Sequence, residues 1–198
     1  MNSTTFDKRI FSPRVLVADL GFLLSRAPAI GRAMRNPDIG RAFVEKIMIV
    51  VTAVNGCTYC SWFHARQAVA GGIANEEIRE LFDLQFHASA SERELPALLF
   101  AQHFAETNRH PDPEMTARLQ AVYGERTAAD IVLVIRTIFF GNLFGNTFDA
   151  FPSRLAWRPA ENSSALFEFV FFVLGAWFML PLRWLSRDGH EATIASAS

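Results

Sequence analysis

Apolar residues recur along most of the chain with a helical period, and chain breakers divide the sequence into helix-length pieces. We find no alternating strand pattern and no internal repeat. The predicted helices cover about residues 13–34, 38–54, 57–70, 75–86, 91–108, 113–124 and 127–148. The pattern therefore predicts an all-α fold, a bundle of about seven helices followed by a C-terminal apolar helix.

Local signals define several of these helix ends. Asp38 is expected to cap the second helix, and Asn55-Gly56 breaks the chain after it. The run Ser91-Glu92-Arg93-Glu94 has the form of a capping box, which opens the fifth helix. Gly124 is expected to close the sixth helix, so that a separate seventh helix follows.

The C-terminal part of the chain differs in character from the rest. Residues 152–164 read as a linker rich in proline, serine and arginine, and residues 165–187 read as an apolar helix. Its segment 165–185 is about as long as a bilayer core is thick, but its uninterrupted apolar stretch, 169–182, is short for a membrane span. The pattern fits three interpretations: membrane contact, burial within the protein, or an oligomer interface.

Composition narrows the functional class. Hydrophobic residues make up 51% of the 198, which excludes a disordered chain. The net charge of −1 gives no basic surface for nucleic acid. The N-terminus lacks the apolar stretch of a signal peptide, and the two cysteines lie three positions apart rather than spread along the chain. We therefore expect a cytoplasmic protein, membrane-associated if the C-terminal helix contacts lipid, with a redox-active or metal-binding cysteine pair.

The candidate chemistry is concentrated in Glu45, Cys57, Cys60 and His64. On a helix starting near Gly56, Cys57 lies in the first turn, where unpaired N–H groups favour a thiolate. Cys60 follows one turn later and His64 one turn after that, so a nucleophile, a second thiol and a base share one face. Glu45 lies on the preceding apolar helix, and a carboxyl group there is suited to shuttling a proton.

The spacing Glu45-x11-Cys57-x2-Cys60-x3-His64 resembles the signature of the AhpD-like alkylhydroperoxidases of the carboxymuconolactone decarboxylase superfamily. The close match covers residues 45–78, and a weaker likeness in helical pattern supports a domain over residues 1–151. This resemblance implies an all-α enzyme that forms homo-oligomers and uses no cofactor and no metal. Its partners would be a small hydroperoxide and an external thiol or dithiol reductant.

By this resemblance, Cys60 would attack the peroxide and become a sulfenic acid, Cys57 would resolve it to a disulfide, and His64 with Glu45 would relay protons. The chain departs from some members of the family at Tyr59, where they carry a second histidine. A phenol is a poorer proton shuttle near neutral pH, so the relay is shorter here.

Other interpretations remain open at this stage. The cysteine pair could serve a non-catalytic redox-responsive module, the two cysteines with His64 could bind zinc, or the chain could be a cysteine-independent lyase of the decarboxylase type. Arg136, within an apolar run, is expected to pair with a carboxylate. Asn142 and Asn146 are expected to form interhelical hydrogen bonds, with the lining of a pocket as the alternative.

Overall fold

The computed structural model describes residues 5–161 and 163–195, without the side chains of residues 183, 184 and 186–195. This part of the chain forms seven α-helices and no β-strand; an isolated backbone bridge joins Phe6 to Ala160. The helices are α1 (Pro13–Ala33), α2 (Arg41–Asn55), α3 (Thr58–Ala70), α4 (Asn75–Phe82), α5 (Leu95–Glu106), α6 (Pro113–Leu155) and α7 (Ala165–Ala195). The predicted all-α class is confirmed.

Helix α2 occupies the centre of the bundle. It packs against α3, α4, α5 and α6, and nearly all of its length between Phe43 and Thr52 is buried. This burial explains why the sequence is apolar almost all round the helix in this stretch. The expected cap at Asp38 is wrong, because α2 begins at Arg41 after Gly40, which adopts a positive φ of 78°.

The two helices predicted on either side of Gly124 are joined in the structure. Helix α6 runs from Pro113 to Leu155, and Gly124 interrupts it with φ 73° and ψ 161°, values outside the helical region. The glycine therefore separates two helical segments that meet at a kink, and the predicted helix boundary at Gly124 is confirmed. The helix also continues into the start of the predicted 152–164 linker.

Helix α7 lies against α6 and α3 along one stripe of buried residues, Glu168, Phe171, Gly175 and Met179. Two described helices are long and apolar enough to cross a membrane by length and composition alone. In the apolar window of α6, 56% of residues are buried inside the protein, whereas only 22% are buried in residues 165–182 of α7. Most apolar side chains of α6 therefore lie in the core, whereas most of those in residues 165–182 of α7 are exposed to solvent.

Candidate active site

The turn between α2 and α3 positions the cysteine pair. Gly56 follows the last residue of α2 with φ 68°, a left-handed conformation that glycine adopts without the strain other residues incur. The chain reverses there, and α3 packs beside α2. Cys57 becomes the N-cap of α3, and its sulfur accepts a long hydrogen bond from the Cys60 N–H at 3.4 Å.

The two cysteine sulfurs are in direct contact. The Cys57 Sγ and Cys60 Sγ atoms lie 2.6 Å apart, and both cysteines are free thiols in the structure. Cys57 is fully buried, whereas Cys60 is partly exposed. The prediction that the sulfurs lie together on one helical face is confirmed, and the more accessible of the two is Cys60.

The two thiols have opposite ionisation tendencies. The hydrogen bond to Cys60 raises the pKa of Cys57 well above its ordinary value, and burial raises it further. The same hydrogen bond lowers the pKa of Cys60, because a thiol at Cys57 donates to its sulfur, and this outweighs the opposing effect of burial. The sequence indicated a thiolate at Cys57; the structure favours one at Cys60, because Cys57 keeps its proton to donate the hydrogen bond and its side chain is buried.

A polar network from α2 and α6 supports Cys60. The Asn142 side chain forms a hydrogen bond that further lowers the pKa of Cys60. Its carbonyl oxygen accepts from the Asn55 amide at 3.2 Å, and its own amide donates to the Thr52 hydroxyl at 3.0 Å. Asn142 is fully buried, so these bonds fix its orientation. Both alternatives considered for Asn142 therefore hold: it bonds between helices and lies at the site.

Helix α6 also packs closely against the Cys57 sulfur and the Tyr59 ring. A Cβ atom added to Gly145 would lie 2.7 Å from the Cys57 sulfur and 3.1 Å from the Tyr59 ring. The Tyr59 hydroxyl donates a hydrogen bond to Asp149, again on α6. Tyr59 is thus held by a carboxylate, and its ring packs edge-on against Phe148.

Glu45 and His64 form a second buried pair. The His64 Nδ1 atom lies 2.7 Å from the Glu45 Oε2 atom, and both residues are at most 9% exposed. When Glu45 is ionised, Nδ1 carries the proton and donates to it, which leaves Nε2 as the acceptor of the ring. The sequence left open whether Glu45 faces the helix of the cysteines. The structure brings it to His64, one turn beyond Cys60 on α3.

A lysine from the N-terminal segment lies near the cysteine pair. The Lys8 ammonium donates to the Thr58 hydroxyl at 3.2 Å, and its aliphatic chain lies 3.8–4.0 Å from the position that a Cβ atom on Gly56 would occupy. Its positive charge contributes to lowering the pKa of both cysteines, although less than the groups described above. Lys8, Gly145 and Asp149 could not be predicted as part of the site, because each is far from the cysteine motif along the chain.

Several other candidate residues lie elsewhere. Arg136 sits 3.5 Å above the centre of the Phe22 ring in a cation–π contact. The Asp19 carboxylate forms its direct ion pair with Arg109, and its charge also acts on Arg136, where it opposes the lowering of the pKa by burial. Among the described residues, no group of three His, Cys, Asp or Glu side chains is placed to hold a metal ion. A cavity of about 860 Å³ between α1 and α6 contains neither cysteine, nor Glu45, nor His64.

Comparison with known proteins finds a family that resembles part of this chain. Residues 27–103 match the model of the carboxymuconolactone decarboxylase family. Over these residues the chain is similar to that family. No curated protein matches the chain.

The matched residues include Glu45, Cys57, Cys60 and His64. They extend from late α1 to the middle of α5, so Asn142, which completes the surroundings of Cys60, comes from outside the match. Members of the family are typically enzymes, either decarboxylases or alkylhydroperoxidases.

The contact of Asn142 with Cys60 gives a pH-dependent prediction. In Asn142→Ala the hydrogen bond that lowers the pKa of Cys60 is lost, so a higher pH is needed to form the thiolate. We expect the pH midpoint for alkylation of Cys60 by iodoacetamide, measured by peptide mass spectrometry, to move to higher pH.

The matched control is Asn146→Ala, one turn further along α6. The Asn146 amide donates to the backbone carbonyls of Arg9 and Asn55 rather than to a sulfur. Its replacement should leave the midpoint at the wild-type value. Equal midpoints for Asn142→Ala and wild type would show that Asn142 does not act on Cys60.

Proposed function

We propose that this protein is a thiol-dependent hydroperoxide reductase that works through a dithiol–disulfide cycle of Cys57 and Cys60. The proposal depends on one observation above all: two free thiols in contact, with a lowered pKa at the more exposed Cys60 and a raised pKa at the buried Cys57. A thiolate is the nucleophilic form of cysteine. A resolving cysteine, by contrast, must stay close and give up its proton later.

The first half of the proposed cycle oxidises Cys60. Its thiolate attacks the outer oxygen of a hydroperoxide ROOH, the O–O bond breaks, and Cys60 becomes a sulfenic acid while RO⁻ leaves. The leaving alkoxide takes up a proton and is released as the alcohol ROH. Cys60 thus loses two electrons and the peroxide gains them.

The second half forms and then reduces the disulfide. Cys57 attacks the sulfur of the Cys60 sulfenic acid, an S–S bond forms, and hydroxide leaves and is protonated to water. An external dithiol then donates two electrons and two protons, which restores both thiols and leaves the dithiol oxidised. In total, ROOH and the reduced dithiol give ROH, water and the oxidised dithiol.

The Glu45–His64 pair is the proposed proton relay of this cycle. With Nδ1 held by Glu45, the Nε2 atom of His64 can accept the Cys57 proton or donate to the leaving oxygen, directly or through water. The carboxylate stabilises the imidazolium that forms in either step. Burial of both groups strengthens this electrostatic effect, because little solvent screens them.

Mass spectrometry of the intact protein tests the cycle directly. After one equivalent of an organic hydroperoxide, we expect the reduced protein to lose two hydrogens, to carry the change on the peptide that joins Cys57 and Cys60, and to regain them with dithiothreitol. With excess peroxide and dithiol, each protein should complete many cycles.

Two results would contradict the proposal. A change that occurs once per protein without turnover would indicate the redox-responsive module instead. The decarboxylase members of the family make a cysteine-independent lyase the other alternative. A lyase activity that persists when both cysteines are replaced by serine, with no hydroperoxide consumed by wild type, would establish that function.

A further inference from the structure

Helix α7 presents a wide apolar surface to solvent, which we call the α7 outer face. It consists of the eight side chains between residues 165 and 182 that are at least 43% exposed and apolar. These are Leu166, Phe169, Val170, Val173, Leu174, Trp177, Phe178 and Leu180. At 100° per residue they cover roughly half of the helix circumference, opposite the buried stripe. An exposed apolar surface of this extent marks an interaction site.

The α7 outer face contains no polar side chain. Glu168 is the single charged residue between 165 and 182, and it is fully buried on the opposite side of the helix. Arg154 holds its carboxylate through two hydrogen bonds of 2.6 and 2.7 Å. The charge at the start of α7 is therefore neutralised within the protein, and it does not oppose transfer of the outer face into an apolar medium.

The absence of polar residues on this face indicates whether its partner is another protein or a lipid bilayer. A protein interface has a polar rim around its apolar centre, and a helix that pairs with a second copy carries charged residues beside its apolar seam. On α7 the flanking positions are Phe169, Leu174 and Phe178, which are as apolar as the centre. Within residues 165–182 of α7 no polar position borders the apolar ones, and such a helix face is suited to a lipid bilayer, whose hydrocarbon offers no polar groups.

We propose that the α7 outer face inserts into a lipid bilayer while the rest of the domain stays in water. The helix lies along the membrane surface, because its other side is held to the domain by the Arg154–Glu168 pair and by the close contact of Gly175 with Phe148. Trp157 precedes the helix and is 91% exposed, a suitable anchor at the level of the headgroups.

Vesicle flotation with the full chain tests this proposal. We expect wild type to float with phosphatidylcholine vesicles and equally with vesicles that also contain phosphatidylglycerol, because apolar burial rather than charge drives the binding. Leu174→Asp should lower the floated fraction by about tenfold, since it places a charge in the inserted face. The control is Leu24→Asp on α1, because Leu24 is 69% exposed and Leu174 is 70% exposed. That variant should float like wild type.

A second measurement is made first on wild type, so that its main result does not depend on how a variant folds. In wild type, brominated lipids should quench tryptophan emission, and Trp177→Phe should remove part of that quenching. Wild type that stays at the bottom of the gradient with both vesicle types would overturn the proposal, as would equal flotation of Leu174→Asp. The α7 outer face would instead bind a second copy of the chain if two results occurred together: wild type does not float, and it forms a dimer without vesicles that Leu174→Asp dissociates.

Discussion

Cys60→Ser should abolish hydroperoxide turnover, whereas Cys57→Ser should reduce one equivalent of hydroperoxide and then stop. A serine hydroxyl remains protonated near neutral pH, so the rate of the first step should fall by at least about a thousandfold without the Cys60 thiolate. Cys57→Ser keeps the attacking sulfur but lacks the thiol that forms the disulfide. Peroxide consumption under excess dithiol measures the first effect. Dimedone labelling of the sulfenic acid at Cys60 measures the second.

The control for these variants is Ser61→Ala, which changes the residue next to Cys60 without altering either sulfur. The Ser61 hydroxyl donates to the Cys57 carbonyl at 3.0 Å. Because this bond lies within the first turn of α3, its loss should leave turnover close to that of wild type. If Cys60→Ser formed a sulfenic acid at Cys57 and Cys57→Ser were inert, the roles of the two cysteines would be reversed.

Arg154→Ala should cost about 1.5–3 kcal/mol in the free energy of unfolding, a large effect for a single change. The variant leaves the Glu168 carboxylate fully buried without its bidentate partner. An unpaired buried charge must either stay ionised at a high cost or take up a proton. Urea unfolding followed by far-ultraviolet circular dichroism gives the change in midpoint.

Two further variants test whether the loss of stability comes from the broken ion pair or from the lost packing of the Arg154 side chain. Arg158→Ala removes an exposed arginine close by and should change stability by less than about 0.5 kcal/mol. The double variant Arg154→Ala with Glu168→Leu removes both charges and should recover most of the loss. Equal losses in the double and single variants would mean that packing by Arg154, rather than its charge, stabilises α7.

The local structure of this protein follows closely from its sequence. The hydrogen bonds of the predicted capping box form: the Ser91 N–H donates to the Glu94 carboxylate, and the Glu94 N–H donates to the Ser91 hydroxyl, each at 3.2 Å. They close a turn just before the fifth helix, which begins at Leu95 rather than at the predicted Ser91. The break at Asn55-Gly56 was placed correctly for the same reason, because a left-handed glycine ends a helix through local backbone preferences. Such features depend on residues a few positions apart, which the sequence displays together.

The helix ends that were predicted wrongly depend on packing. The fourth helix was expected to continue to about residue 86 but ends at Phe82, and Leu84 takes a positive φ of 58°. Phe86 is nevertheless fully buried. The chain therefore leaves the helical conformation and still places the aromatic ring in the core, a choice that helical periodicity alone does not reveal.

The sequence by itself determined the all-α class, the helical spacing of Cys57, Cys60 and His64, and the apolar character of residues 165–182. The tertiary structure decided which sulfur is favoured as the thiolate, because that depends on burial of Cys57 and on Asn142, contributed by α6. It also decided that Glu45 meets His64 and that only one side of α7 is covered. Burial and long-range hydrogen bonds set local electrostatics, and they arise only when distant segments pack together.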